Sequence, residues 1–356
     1  MRVAVLGVGL IGGSVALAAR ERAGAEVHGW DPDPDAVHAA AGRGALDAGA
    51  ASLGQAVDGA DVVVVAAPVG ALPAAVGAAL EAASADAVVT DVGSTKRAVV
   101  AAHDDPRFVG GHPLAGAESA GVENARADLF EGATWYLTPT ARTRGTGLER
   151  LYRLLASLGA HPQAIDAETH DRILAGVSHL PHVLANVLVA QVGGALASEG
   201  ERLPATGPSF RDATRVAGAN SAIWTDIYLS NREALVRALD EVSERIGAVR
   251  ASLAAGDAAA VEAWNEAAAA ERRRLLGSQL AGGLVHELRV AVPDRPGVVA
   301  EVALALGRAG VNITDMALYP APGGGEGVVA LWIAGDGPAG RAQEVLEGDG
   351  LRVTRA

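Results

Sequence analysis

The residue best suited to chemistry is a histidine in the glycine-rich segment Val109-Gly-Gly-His-Pro-Leu-Ala-Gly-Ala-Glu-Ser119. His112 has an ordinary pKa near neutrality, so it can accept or donate a proton at working pH. Pro113 restricts the backbone of His112 to extended conformations. The nearby glycines are expected to keep space open around the ring: Gly110, Gly111 and Gly116. We predict that His112 carries the chemistry, with groups from both halves of the chain arranged around it.

A hydroxyl on an earlier turn is the first candidate partner for this histidine. Ser94 and Thr95 follow the apolar run 87–91 and suit the N-cap of a helix beginning near Lys96. Ser94 also follows the carboxyl end of a predicted strand, where open α/β sheets bind their ligands. From there its hydroxyl can hold one nitrogen of a histidine and fix its tautomer. The two interpretations are compatible.

A second polar cluster lies on a predicted long helix, residues 167–193. Asp171, Ser178 and His182 are expected to share one face because they are seven and then four residues apart. Pro181 lacks a backbone donor and should kink the helix. Ordinary polar packing between helices remains an alternative. A metal site is another, although a strongly ligating third and fourth group is not evident; its ligands would be His170, Asp171, His179 and His182.

Two arginines are predicted to bind an anionic substrate. Arg211 and Arg215 are four residues apart, and Asp212 can orient Arg215 one turn later. The planar guanidinium suits carboxylates, although a surface ion pair would give the same pattern. Glu118 and Ser119, which follow His112 closely, are further groups that can contact a substrate.

The N-terminal segment predicts a dinucleotide site. A short apolar strand, residues 2–6, leads into Gly7-Val8-Gly9-Leu10-Ile11-Gly12 and then a helix. The glycines allow a tight turn, a close approach to a pyrophosphate and close helix–strand packing. Asp31 ends the next strand, where its carboxylate can bind ribose hydroxyls and repel a 2′-phosphate, so NAD is predicted over NADP. Pro68, after the strand 61–67, is expected near the cofactor. A structural βαβ unit without a ligand is the alternative.

Composition narrows the function further. The formal net charge of −13 disfavours nucleic acid and anionic membranes as partners. The absence of cysteine excludes disulfides and thiol catalysis and fits a cytoplasmic location. Glycines interrupt the apolar N-terminus and argue against a signal peptide. No other run is interpreted as a membrane span. Lys96 is the only lysine, so a mechanism with a catalytic lysine would have to use it.

Together these motifs resemble the prephenate dehydrogenase family, which also includes arogenate dehydrogenases. The resemblance covers residues 1–280. It rests on matching segments in family order: Gly7–Ser14, Thr90–Lys96, Gly111–Gly116, Ser178–His182 and Phe210–Arg215, then Trp224, Asp226 and Asn231. Leu114 stands where the family more often has Met, a swap that conserves volume. The resemblance implies a Rossmann-type doubly wound sheet in residues 1–165 and an all-α domain in residues 166–281 that forms a homodimer.

The C-terminal residues, 285–356, follow a βαββαβ pattern after a glycine-containing spacer, residues 277–284. They resemble the ACT domain, a ferredoxin-like module that typically binds amino acids. The matching features are Pro293-Asp-Arg-Pro-Gly297 and Gly310-Val-Asn-Ile313. The resemblance implies an effector site made by Asp294, Pro296, Gly297, Asn312 and Ile313. A dimerisation unit without a ligand is the alternative, and tyrosine as feedback inhibitor is the expectation from pathway logic.

The family resemblance implies oxidative decarboxylation of prephenate with NAD⁺ as hydride acceptor. His112 would accept the proton of the ring hydroxyl, with Ser94 holding the imidazole. His182 and Ser178 would hydrogen-bond the substrate, and Arg215 would bind a carboxylate. Arogenate, which carries an amino group in place of the keto group, is an alternative substrate. A β-hydroxyacid dehydrogenase would need a lysine in the helical half, and a non-catalytic NAD and amino-acid sensor would show no turnover.

Overall fold

The structure, a computed structural model, describes residues 1–115, 121–199, 206–277, 285–293, 295–319 and 326–355. The chain forms two compact units. Unit 1 joins Met1–His170 to Gly283–Ala356, and unit 2 is Asp171–Gly282. The spacer expected at residues 277–284 lies outside the described residues from 278 onward. The α/β class predicted from the sequence is confirmed.

Unit 1 is built on an eight-stranded sheet in the order β3-β2-β1-β4-β5-β6-β7-β8. Strands β1 to β6 are parallel, β7 runs antiparallel to β6, and β8 is parallel to β7. The strands are β1 (Arg2–Leu6), β2 (Glu26–Trp30), β3 (Ala48–Gly49), β4 (Val62–Val65), β5 (Val88–Asp91), β6 (Phe108–Pro113), β7 (Thr134–Thr138) and β8 (His161–Ala164). Continuous apolar runs such as β4 form fully buried parallel strands because helices cover both faces of the sheet.

Six helices connect these strands: α1 (Leu10–Glu21), α2 (Pro34–Gly42), α3 (Leu53–Val57), α4 (Leu72–Ala82), α5 (Arg97–Ala102) and α6 (Gly145–Ser157). The N-cap predicted at Ser94 or Thr95 is wrong. Lys96 holds the N-cap position of α5, and no side chain caps that helix. The side chain of Lys96 is instead drawn into the interior, where it meets a buried carboxylate.

The C-terminal module has the βαββαβ order predicted from its sequence. Its antiparallel sheet has the order β10-β11-β9-β12, which is ferredoxin-like. Its elements are β9 (Val285–Pro293), α13 (Val298–Arg308), β10 (Asp315–Tyr319), β11 (Glu326–Ala334), α14 (Asp336–Gly348) and β12 (Arg352–Arg355). The module packs against α6, where Glu149 accepts a hydrogen bond from the Leu318 amide at 3.2 Å. The module therefore shares a hydrophobic core with the nucleotide-binding half.

Unit 2 is helical. Its helices continue from α7 (Ala167–Leu174), which spans the boundary with unit 1: α8 (Leu180–Glu199), α9 (Pro208–Thr214), α10 (Ser221–Ser230), α11 (Arg232–Ala255) and α12 (Ala258–Gly277). A π-helical turn, Ala175–His179, joins α7 to α8 directly before Pro181. Pro181 lacks the backbone donor for a regular turn, and its ring crowds the carbonyl four residues earlier, so the helix widens there.

One helical run is apolar enough to revise a statement made from sequence. Ala167–Gly194 is long and apolar enough to cross a membrane, judged by length and composition alone. The earlier statement that no such run follows the N-terminus is therefore wrong. Only 22% of its most apolar window is buried within this chain. Exposed apolar faces of this kind also occur on helices that pack against a partner subunit.

Candidate active site

His112 lies in β6, near the edge of the sheet where the parallel strands end. Its ring is almost fully buried, and Nδ1 lies 2.9 Å from Nε2 of His170 on α7. The two rings meet edge to face, with centroids 5.1 Å apart. Tyr136, the register partner of His112 on β7, packs its ring edge against His170 at 5.6 Å. The predicted histidine thus stands in a cluster of three rings that come from three elements.

A buried ion pair fixes the backbone next to His112. Lys96 and Asp91 are fully buried and pair with each other, and Lys96 Nζ also donates to the Gly111 carbonyl at 2.6 Å. Asp91 Oδ1 accepts a hydrogen bond from the Gly111 amide at 3.1 Å. Both backbone groups of Gly111 are therefore held by this charged pair.

The glycines before His112 do not keep space open, as the sequence had suggested. A Cβ at Gly111 would lie 2.6 Å from the Asp91 carbonyl oxygen, and one at Gly110 would lie 2.4 Å from Thr138 Oγ1. Glycine is required there because β6 packs closely between β5 and β7. The third glycine of that prediction, Gly116, lies outside the described residues.

The Gly7–Gly12 segment forms a cradle at the carboxyl end of β1. Gly7 has φ +94°, and a Cβ at Gly12 would lie 1.8 Å from the Gly7 carbonyl oxygen. A Cβ at Gly9, the N-cap of α1, would meet nothing within 4 Å. The helix N-terminus therefore faces open space beside Leu10 and Ile11, as an anion site requires.

Asp31 stands at the end of β2 with acceptor capacity to spare. Its carboxylate accepts hydrogen bonds from the Val8 and Asp33 amides, each at 2.9 Å. A carboxylate has about four lone-pair directions, so positions remain for two hydroxyl donors. Pro68 is exposed after β4, at the same edge of the sheet.

In unit 2, the π-helical turn changes which residues share a face. Asn231 Nδ2 donates to the Asp171 carbonyl at 2.7 Å and lies 3.1 Å from His179 Nδ1. A π turn holds an extra residue, so it rotates the positions that follow. Asp171 consequently shares its polar contact with His179, whereas the sequence had grouped it with Ser178 and His182.

His182 forms a second cluster in unit 2. Its ring stacks on Trp224, with centroids 3.4 Å apart and planes at 24°. Its Nδ1 lies 3.4 Å from the Ser178 carbonyl oxygen. Burial lowers the pKa of His182, the Arg215 charge lowers it further, and the Ser178 carbonyl opposes both. The neutral imidazole, which can both donate and accept a hydrogen bond, is therefore favoured at neutral pH.

We expect His182 to titrate below its ordinary value of 6.5 in an NMR titration of its ring Cε1 proton. Arg215→Gln should raise the midpoint because a nearby positive charge disfavours imidazolium. Arg211→Gln, which removes an equal charge on an exposed side chain of the same helix, is the control and should leave the midpoint unchanged. Because the folded pKa is lowered, the unfolded chain binds this proton more readily, and stability falls as pH drops below 6.5. A midpoint that ignores Arg215 would contradict this electrostatic account.

The remaining predicted site residues are placed as follows. Ser94 is half-buried in the turn after β5, and its contact with His112 stays a prediction. Arg211 and Arg215 are exposed, and Arg211 Nη1 reaches the Thr206 carbonyl at 3.4 Å. Glu118, Ser119 and Asp294 lie outside the described residues. Within the described parts of the chain, no three His, Asp or Glu side chains are grouped as a metal site.

Known proteins match this chain along nearly its whole length. The prephenate dehydrogenase nucleotide-binding domain matches residues 15–163, the prephenate dehydrogenase dimerization domain matches residues 166–265, and the ACT domain matches residues 286–346. Prephenate dehydrogenase of Bacillus subtilis (strain 168) is 33% identical over 355 residues, 97% of this chain and 95% of that protein. The chain belongs to the prephenate dehydrogenase family.

Solved structures of family members agree with the fold. Prephenate dehydrogenase of Aquifex aeolicus, in complex with hydroxyphenyl propionate and NAD⁺, matches with a TM-score of 0.73 and 30% identity, covering 77% of this chain and 98% of that one. Arogenate dehydrogenase of Synechocystis matches with a TM-score of 0.68 and 26% identity, covering 77% and 100%. Relatives that bear either substrate name therefore share this architecture.

Sequence reasoning missed two features of the family site in this chain. His170 was considered only as a metal ligand, yet it contacts His112 directly. Lys96 was noted as the single lysine, but its buried pair with Asp91 was not foreseen. The five-residue spacing from Asp91 to Lys96 across a tight turn was the available signal for the pair.

Proposed function

We propose that this chain is an NAD-dependent prephenate dehydrogenase that converts prephenate to 4-hydroxyphenylpyruvate in tyrosine biosynthesis. One observation in unit 1 carries the proposal. His112, on β6, and the Gly7–Gly12 cradle, after β1, lie at the same edge of one sheet, because the strands between them are parallel. Open α/β sheets bind ligands at that edge. The family relationship gives this arrangement its substrate and reaction.

The residues of the cradle fit NAD. The open space at Gly9 and the N-terminus of α1 would receive the pyrophosphate, and the remaining acceptor positions of Asp31 would receive ribose hydroxyls. The negative charge of Asp31 disfavours a 2′-phosphate, so NAD is preferred over NADP. Leu10, Ile11 and Pro68 would line the cofactor. Bound NAD⁺ supplies the hydride acceptor.

His112 is the general base in this proposal. It accepts the proton of the hydroxyl on the ring carbon that loses hydride. The carbon–carbon bond to the ring carboxylate then breaks, CO₂ leaves, and its electron pair makes the ring aromatic. The proton returns from His112 to the phenolic oxygen, so no net proton is consumed. Aromatisation and loss of CO₂ drive the reaction forward.

Side chains of the helical unit are proposed to bind the substrate. Arg215 is assigned to a substrate carboxylate because its planar guanidinium matches two carboxylate oxygens. Neutral His182 and Ser178 are assigned hydrogen bonds to the substrate. Arg211 is a second cation on the same helix, and Glu118 a polar group near His112 in sequence.

The test is NADH production by the purified protein, with prephenate and arogenate each supplied with NAD⁺ or NADP⁺. Turnover of prephenate with NAD⁺ is expected. Preferential turnover of arogenate would assign the second candidate, which the Synechocystis relative favours. Absence of turnover in every combination would contradict the proposal and favour a non-catalytic sensor.

The C-terminal module is proposed to bind an amino-acid effector, with tyrosine as the expected inhibitor. A cavity of about 280 Å³ lies between the first residues of α6 and the turn that contains Pro296 and Gly297. Gly297, at φ +83°, is the N-cap of the eleven-residue α13, whose first amides can face a carboxylate. In the neighbouring loop that holds Ile313, Asn312 Oδ1 is buried and accepts no hydrogen bond from any described residue. An acceptor in that state suits an ammonium donor.

We expect Asn312→Ala to weaken inhibition by tyrosine at least several-fold, because the variant loses this acceptor. The measurement is the tyrosine concentration that halves NADH production. Gln343→Ala removes an amide that pairs with Glu347 on α14 and serves as the control. Equal tyrosine sensitivity in Asn312→Ala, Gln343→Ala and the wild type would contradict the assignment.

The helical unit is proposed to form a homodimer in the cytoplasm. Large apolar side chains on its helices are exposed in the single chain: Val187, Leu188, Val189, Ile223, Leu229, Val236, Ile246, Leu253, Trp264 and Leu275. Burying such a surface against a second copy removes apolar area from water. Sedimentation of the purified chain at the mass of two subunits is the expected result.

A further inference from the structure

The contact between His112 and His170 raises the question of where the shared hydrogen lies. Nδ1 of His112 and Nε2 of His170 are 2.9 Å apart, and both rings are buried. Two neutral imidazole nitrogens at that distance need one hydrogen between them, because each nitrogen either donates or accepts. The direction of this hydrogen bond sets the tautomer of both rings.

The two directions have opposite chemical consequences. If His170 donates, neutral His112 carries its own hydrogen on Nε2 and has no lone pair there. If His112 donates from Nδ1, its Nε2 keeps a lone pair and can accept a proton. After that proton transfer, the Nδ1–H of the imidazolium still points at an acceptor, which stabilises the charge.

We propose that His170 is a positioning residue that accepts a hydrogen bond from the Nδ1–H of His112 and so keeps Nε2 as the base. This rests on the proposed function of His112. The role is distinct from that of a group that touches the substrate, because His170 acts through His112 alone.

The surroundings of His170 support an acceptor held in one orientation. Asp166 anchors the start of α7, since its carbonyl accepts from the His170 amide at 2.9 Å and its carboxylate from the Thr169 amide at 2.8 Å. The Tyr136 ring meets the His170 ring at 89° and limits its rotation. His170 itself is fully buried.

The titratable groups packed around the pair do not favour a doubly protonated His170. Burial raises the pKa of Tyr136, so its hydroxyl stays neutral across the working range. Behind β6, the charges of Asp91 and Lys96 compensate each other. A protonated His170 would place an N–H against the N–H of His112 and remove the acceptor.

The test compares two replacements of His170 in the full-length enzyme. His170→Gln keeps an acceptor, because Oε1 of glutamine can occupy the place of Nε2, whereas His170→Leu removes it. We expect kcat to fall about 10–100-fold in the leucine variant and less than about 5-fold in the glutamine variant. The KM for prephenate and the affinity for NAD⁺ should change little in either. The acid limb of the kcat profile should move to lower pH in the leucine variant, because the imidazolium of His112 loses its stabilising acceptor.

The ¹⁵N chemical shifts of the His112 ring provide a readout that does not depend on turnover. We expect Nδ1 to be protonated in the wild type and the two tautomers to be mixed in His170→Leu. Unchanged shifts, or an equal loss of kcat in both variants, would overturn the proposal, the latter because it would indicate lost packing. If prephenate is not turned over at all, the proposed function fails, and the ¹⁵N shifts still decide the role of His170.

Discussion

His112→Asn is expected to lower kcat by about 10²–10⁴-fold, the usual contribution of a general base. Asparagine is similar in size and polar, but its amide cannot accept a proton at neutral pH. The affinity for NAD⁺ should change modestly, because the cradle is formed by residues at the ends of β1 and β2. Steady-state kinetics and NAD⁺ titration of the same preparation measure the two effects separately.

A second histidine of unit 1 provides the matched control. His161 begins the edge strand β8 and is exposed, so His161→Asn should retain wild-type turnover. Unchanged kcat in His112→Asn would remove His112 from the role of base. A large loss of NAD⁺ affinity together with kcat would instead assign it to cofactor binding.

Lys96→Met is expected to lower the free energy of unfolding by about 3–5 kcal/mol. The substitution leaves the Asp91 carboxylate buried without its counter-charge, and it deletes the hydrogen bond to the Gly111 carbonyl. Denaturant unfolding followed by circular dichroism measures the loss. Turnover should also fall, because Gly111 directly precedes His112.

Two further variants separate a buried charge from lost packing. Asp91→Asn combined with Lys96→Met should recover much of the stability, because neither charge then remains unpaired. Arg142→Met breaks the pair with Asp104, whose side chains are 61% and 74% exposed, and should cost no more than about 1 kcal/mol. A Lys96→Met variant as stable as the wild type would contradict the account of the buried pair.

Local patterns were enough to predict much of unit 1. The Gly7–Gly12 turn and the buried strands β1, β4 and β5 depend on residues next to each other in sequence, so a single chain reveals them. The two-residue strand β3 and the antiparallel direction of β7 carry no comparable signal. They depend on how the later part of the chain returns to the sheet, which is a tertiary effect.

The partners of the predicted site residues were harder to foresee than the residues themselves. His112 and His170 are separated by 58 positions and meet only because α7 packs over β6 and β7. The π-helical turn shifts the register of the helix, so ideal helical spacing grouped Asp171 with the wrong neighbours. The glycines before His112 were identified, but their reason, close strand packing, required the neighbouring strands.

The most direct test of the central claim is to measure NADH and CO₂ together when the wild-type enzyme acts on prephenate with NAD⁺. Oxidative decarboxylation predicts one CO₂ released for each NADH formed, with 4-hydroxyphenylpyruvate as the organic product. NADH without CO₂ would indicate a simple alcohol oxidation, and neither product would indicate that prephenate is not the substrate. Either result would contradict the proposed reaction.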